Sequence, residues 1–177
     1  MRYVIVSVVK GEAGNFNNNL RNDILNKFNV KSSKLPAHFT IKSPFEYDGK
    51  ISDLENCIEN LCSSEIAFNY KVKGYNHFDD RVIYMDVKMS NEGKKFHDKL
   101  ITELSKIPYI QFNEIDGKDK IFHVTLSSKK IKNVYNKLWN YINLFPCDFN
   151  CKFDNVCIYK WIENNWILHK EYIIKKF

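Results

Sequence analysis

The chain has 177 residues, 44% apolar and 15% aromatic, with a formal charge of +6. That is enough to bury one sizeable core or two small lobes around a cleft, and too apolar for a disordered chain. No apolar run approaches the roughly 18 residues of a membrane span, and the start RYVIVSVV, cut off by Lys10, lacks a signal-peptide layout, so a cytoplasmic protein without a membrane partner is expected. The cationic surplus is lysine, with Arg2, Arg21 and Arg81 the only arginines, which points to diffuse attraction of a phosphate ligand and away from sequence-specific DNA recognition.

In chain order, residues 2–10 form a nearly unbroken apolar run rich in β-branched residues and predict a central strand. Residues 15–29 set Leu20, Ile24 and Phe28 on one helical stripe. Residues 52–63 predict a second helix, opened by a Ser52–Glu55 capping box and buried through Leu54, Ile58 and Leu61. Residues 66–77 and 81–89 predict strands joined at Asp79 and Asp80. A third helix follows Ser90 with Phe96, Leu100, Leu104 and Ile107 in register, and a fourth follows Ser128 with Ile131, Val134, Tyr135, Leu138 and Ile142. Residues 106–122 are irregular, and from about 148 to 175 strand-like runs return around a tight turn at Asn164 and Asn165.

Helix, strand, helix, strand, strand describes residues 15–89, and the same order describes 91–174. The spacing of 85 residues is too long for a solenoid, and no Gly-, Ser- or Pro-rich linker divides the halves, so residues 1–177 are expected to form a single two-lobed domain.

Both halves carry the same short motif, HFTIKS from His38 and HVTLSS from His123. The chain has only three threonines, Thr40, Thr102 and Thr125, and two of them stand two residues after a histidine. Random placement gives roughly 0.1 such matches. In a strand, residues i and i+2 share a face about 6.6 Å apart. Regular alternation thus puts His38, Thr40 and Lys42 on one face and Phe39 and Ile41 on the other, and likewise His123, Thr125 and Ser127 opposite Val124 and Leu126. Two imidazoles of near-neutral pKa serve as base and acid in one turnover, and threonine hydroxyls donate to phosphate oxygens and stabilise developing charge. This is metal-free phosphodiester chemistry, with His38, Thr40, His123 and Thr125 as catalytic candidates and Lys42 and Ser127, by face parity, as substrate-binding ones. A non-catalytic groove for an RNA end or a phosphorylated ligand is the alternative. It would have no need of two histidines on matched strands.

Other features are weaker. Five cysteines (57, 62, 147, 151, 157) in irregular spacing fit a reducing compartment, and Cys147, Cys151, Cys157 and His169 lack the close pairing of a zinc site. No metal or cofactor is expected. Phe45 and Tyr47 are candidates for stacking a nucleobase, and Arg81 and Tyr84 for a cleft strand. His77, His97 and His169 have no partner motif, and no glycine-rich phosphate loop is present.

The paired His-x-Thr motifs at 38–40 and 123–125 resemble the signature of the 2H phosphoesterase superfamily, and within it the chain is similar to bacterial 2′-5′ RNA ligase or cyclic phosphodiesterase proteins. HFTIKSPF, RVIYMDV, FHVTLSS and the tail NVCIYKWIENNWILHKEY fall in the family's order. The resemblance implies a bilobal α+β fold, with antiparallel sheets, flanking helices and a central cleft lined by the two motifs. It implies action on 2′,3′-cyclic or 2′-5′ phosphodiesters of RNA or small nucleotides, with His123 assigned as base and His38 as acid for hydrolysis, ligation being the reverse type of step; separately, a monomer is expected. Two departures stand out: Pro36 lies two residues before His38, and Lys42 stands where the partner strand has Ser127.

Overall fold

The computed structural model describes residues 1–175. In chain order the elements are β1 (Arg2–Val8), α1 (Gly11–Phe28), β2 (His38–Glu46), α2 (Ser52–Ser63), β3 (Phe68–Phe78), β4 (Val82–Met89), α3 (Asn91–Leu104), β5 (His123–Ser127), α4 (Tyr135–Ile142), β6 (Asp148–Phe153), β7 (Asn155–Ile162) and β8 (Asn165–Ile173). The strands make two four-stranded sheets, ordered β2-β1-β7-β8 and β5-β4-β3-β6, with every pairing antiparallel. This is the expected α+β architecture. Two helices cross between the sheets: α1 leaves β1 of the first sheet and packs on β5 and β6 of the second, while α3 leaves β4 of the second and reaches β2 of the first. Each His-x-Thr strand is therefore an edge strand of its own sheet, and β2 and β5 lie against each other.

Local chemistry explains where the elements differ from the sequence pattern. Helix α1 begins at Gly11, four residues earlier than its apolar stripe suggests, because Gly11 turns the chain with φ +65 and Gly14 lets the first turn approach Val9. A Cβ at position 14 would stand 2.1 Å from the Val9 carbonyl oxygen. The helix ends at Asn29 in the left-handed region (φ 53), whose N–H donates to the Leu25 carbonyl. The Ser52–Glu55 capping box does not form. Ile51 occupies the cap, and the Glu55 carboxylate instead meets His169 Nε2 of β8 at 2.7 Å. Ser90 does cap α3, accepting from the Gly93 N–H at 3.1 Å. Helix α4 starts at Tyr135 after a short 3-10 turn at 132–134, later than expected. The last hairpin turns at Glu163 and Asn164, both left-handed (φ 45 and 63), one residue early, so that Trp161 pairs with Trp166.

The apolar partner of the first motif holds the two sheets together. Phe39, 1% exposed, meets Phe153 of β6 at 5.0 Å, Phe122 at 5.5 Å and Tyr70 of β3 at 5.7 Å, all edge to face. Each ring pair adds about 0.5–1.5 kcal/mol beyond area burial. Val124 and Leu126 of β5 are buried in the same continuous core. The motif's middle residues thus fix the backbone from which the histidines and threonines project to the opposite side.

Candidate active site

His38 and Thr40 on β2, and His123 and Thr125 on β5, are all half-buried, with their buried neighbours turned to the core as strand alternation requires. The two histidines are held in the same way. Nδ1 of His38 lies 2.7 Å from the Pro36 carbonyl and Nδ1 of His123 lies 2.9 Å from the Ile121 carbonyl. A carbonyl only accepts, so each neutral ring carries its proton on Nδ1 and leaves the Nε2 lone pair free to accept a proton. The His123 ring is flanked by Phe78 at 5.1 Å and Tyr84 at 5.0 Å.

Burial pushes the His38 pKa down to about 4; the Pro36 carbonyl opposes this, and the nearby Arg21 and His123 add to it. The His123 pKa is also lowered, first by burial and then by Lys120, against the Ile121 carbonyl. With both pKa values below the ordinary 6.5, both rings are neutral at pH 7, His38 being the more strongly depressed.

Lys42 and Ser127 are not on the site face. Val6 pairs with Thr40 and Ile5 with Lys42, so Ile41 is an extra residue in β2; Tyr84 pairs with Thr125 and Ile83 with Ser127, so Leu126 is an extra residue in β5. A β-bulge one residue past each threonine resets the alternation and turns the next side chain inward. Both side chains are fully buried. The parity argument fails here because it assumes a regular ladder.

The bulges give those two residues another job. The Lys42 ammonium donates to Asp116 Oδ2 at 2.8 Å and to the Ser43 carbonyl at 2.9 Å, over the rings of Phe112 and Phe45. Asp116 also accepts from the Ser43 N–H and hydroxyl, each at 2.8 Å, and from the Asn113 N–H at 3.2 Å. Burial raises the Asp116 pKa, and these donors outweigh it, holding the carboxyl below its ordinary range. Asp116 lies in the segment that leads into His123. On the other side, the Ser127 hydroxyl donates to the Lys31 carbonyl at 3.4 Å, and the N–H groups of Ser128 and Lys129 reach the same oxygen at 3.1 Å. Lys31 lies in the segment that leads into His38. Each motif strand thus fastens the loop that enters the other motif and supplies the carbonyl orienting its histidine.

Two cations beside the site have no place in the motif. Arg21 of α1 donates to the Leu35 carbonyl at 3.0 Å and to the Ser33 carbonyl, pinning the loop before Pro36. It shares a stripe with Asn17, Ile24 and Phe28, and Asn17 in turn donates to the Thr125 carbonyl at 3.3 Å. Polar side chains on an otherwise apolar stripe were the signal that could have found both. Lys120, half-buried, donates to the carbonyl of Ile41, the bulge residue, at 3.4 Å.

The remaining candidates fall elsewhere. Phe45 is 5% exposed against Tyr3 and offers no open face to a base, and half-buried Tyr47 has one face stacked on Tyr109 at 3.9 Å. Arg81 is exposed and pairs with Asp79. His77 packs edge-on against Trp139 and Tyr135. His97 is buried beside Phe122. Among the described residues, no three His, Cys, Asp or Glu side chains gather as a metal-binding group, and no helix is long and apolar enough to cross a membrane.

Solved structures share this fold over nearly the whole chain. TT0787 of Thermus thermophilus superposes with a TM-score of 0.70 at 11% identity, covering 98% of both chains. LigT of E. coli in its apo form gives 0.62 at 10% identity, covering 98% of this chain and 96% of that one. LigT complexed with 3′-AMP gives 0.58 at 11% identity with the same coverage. No curated protein matches the sequence. At such identities the likeness concerns the fold alone. The sequence itself matches the 2′-5′ RNA ligase superfamily over residues 13–165, a span containing both His-x-Thr strands. The chain therefore belongs to the 2′-5′ RNA ligase superfamily, within the 2H phosphoesterases.

Proposed function

We propose that the protein is a phosphodiesterase that opens 2′,3′-cyclic or 2′-5′ phosphodiesters of RNA or small nucleotides, with ligation as the reverse type of step. Membership of the superfamily supports phosphodiesterase or ligase chemistry in general. The observation that carries the finer reading is the matched pair of histidines, each tied through Nδ1 to the carbonyl two residues before it, each followed by a half-buried threonine. For a cyclic phosphate, one Nε2 takes a proton from water as the oxygen attacks phosphorus. The other Nε2–H gives its proton to the departing 3′ oxygen, leaving a 2′-phosphate. The Thr40 and Thr125 hydroxyls donate to the non-bridging oxygens.

The order of proton affinities supports His38 as the base and His123 as the acid for hydrolysis, the reverse of the assignment drawn from the resemblance. With one proton on the pair, it resides on His123, because His38 is the more strongly depressed. The roles exchange for ligation.

The test is incubation, with a chelator present, with a nucleoside 2′,3′-cyclic monophosphate and separately with a cyclic-phosphate-ended oligonucleotide, the products being resolved by mass and phosphate position. A 2′-phosphate product formed by the natural protein and reduced about 10²–10⁴-fold in His38→Ala and in His123→Ala is the expected result. Retained turnover in both variants would sink the two-histidine mechanism.

A further inference from the structure

The face of the first sheet that carries His38 and Thr40 continues away from the motif as an aromatic and cationic surface. On β1 and β7 this face presents Val4, Val6, Cys157 and Tyr159, covered by Leu35 from the loop before β2. Beyond that cover lie Trp161 and Trp166, a cross-strand pair at 5.0 Å, both half-buried. Arg2 sits over Trp166 at 5.9 Å and Lys34 over Trp161 at 5.7 Å, both cations exposed. Leu168, next on β8, is 47% exposed.

The loop between α1 and β2 joins this surface to the two His-x-Thr strands. Lys31 bridges to Lys129 at the end of β5, and Lys34 donates to the Asn164 carbonyl at the hairpin tip. Exposed Lys31, Lys129 and Lys130 therefore stand at the β5 end of the loop, and Lys34 and Arg2 at the tryptophan end. Among the described residues none of these five cations is in an ion pair. Two acids stand at the tryptophan end, Glu46, opposite Arg2 across the β1–β2 ladder, and Glu163 in the turn, both exposed and, among the described residues, also outside any ion pair.

We propose that this surface binds the single-stranded RNA flanking the scissile phosphodiester, with Trp161 and Trp166 as a base-stacking platform and the lysine row along its backbone. The inference rests on the proposed function and narrows it, from any nucleotide phosphodiester to one at the end of an oligonucleotide. Three things point to this occupant. The rings are partly open and accompanied by cations, the combination that holds unpaired bases and phosphates without reading sequence. The surface belongs to the same sheet face as His38 and Thr40. Its distance from the motif suits a strand: Trp161 lies four ladder steps and two strands from Thr40, about 16 Å along the sheet from a rise of ~3.3 Å and a spacing of ~4.8 Å. That exceeds the reach of a nucleoside monophosphate and is within reach of a short oligonucleotide.

The chain's only other tryptophan is Trp139, so a Trp139→Phe protein reports on the platform alone. It is titrated with a six-nucleotide single-stranded RNA carrying a 3′-phosphate, with a nucleoside 3′-monophosphate, and with inorganic phosphate, following tryptophan fluorescence. The expected result is quenching by the oligonucleotide only, and an affinity for it that falls at least tenfold in Trp161→Ala or Trp166→Ala, as loss of a stacked base predicts. Should those variants unfold, Arg2→Gln with Lys34→Gln removes two exposed charges and leaves both tryptophans in place; it lowers the dependence of log affinity on log salt by about 1.4, at ~0.7 per phosphate contact. An oligonucleotide that leaves the fluorescence unchanged, or binds with the same affinity and salt slope in these variants, overturns the proposal. The readout is binding, so a protein that turns over cyclic mononucleotides but fails this test refutes the platform only, and one that passes it without turnover refutes the catalytic reading only.

Discussion

Lys42→Met is the substitution that most directly separates anchoring from substrate binding. The methionine keeps the stem's volume beside Phe45 and Phe112 but removes the ammonium, leaving the Asp116 carboxylate at 0% exposure with the Ser43 and Asn113 donors only. Removing one partner of a buried pair costs about 3–5 kcal/mol, and because three donors remain the lower end, about 3 kcal/mol, applies. In a chain of this size that lowers Tm by about 6–12 °C. The double variant Lys42→Met with Asp116→Asn removes the uncompensated charge and is expected to recover most of that loss. The functional consequence is local: with Asp116 released, the Ile121 carbonyl no longer holds Nδ1–H of His123, and ring-nitrogen NMR of the single variant should show His123 shifting toward the Nε2–H tautomer while His38 stays Nδ1–H. Turnover falls through kcat. An unchanged Tm and an unchanged His123 tautomer, with a raised KM alone, would refute the anchoring argument and return Lys42 to substrate binding.

Four further outcomes follow from the same geometry. The profile of kcat/KM against pH should be a bell on the acidic side of neutrality, rising as His38 loses its proton near 4 and falling as His123 loses its own below the ordinary 6.5; an optimum above pH 8 would contradict the proton order. Because both rings are neutral when folded and the unfolded chain binds protons below about 6.5, stability is unaffected by these groups above that pH and declines as pH falls toward 4, which urea melts across this range measure. Thr40→Val and Thr125→Val should each lower kcat by about 10–10³-fold with little change in KM, since the hydroxyl is needed most where charge develops. Gly14→Ala should destabilise the fold by about 3 kcal/mol in denaturant titration, because the Val9 carbonyl that its Cβ meets at 2.1 Å is backbone and cannot swing aside.

Local periodicity and rare residues in a repeated pattern make part of this protein readable from its amino acids alone. The two His-x-Thr strands, their inward Phe39, Val124 and Leu126, and the order of helices and strands were all legible, because alternation in a strand and a stripe on a helix are properties of a few consecutive residues. What Lys42 and Ser127 do depends on strand pairing, since a bulge at Ile41 or Leu126 is set by how β2 meets β1 and how β5 meets β4. The same holds for Arg21, Asp116 and Lys120, which reach the motifs across chain distances that no local pattern encodes. The lowered pKa values of both histidines likewise depend on the fold, because burial and nearby positive charge set how readily each ring takes a proton.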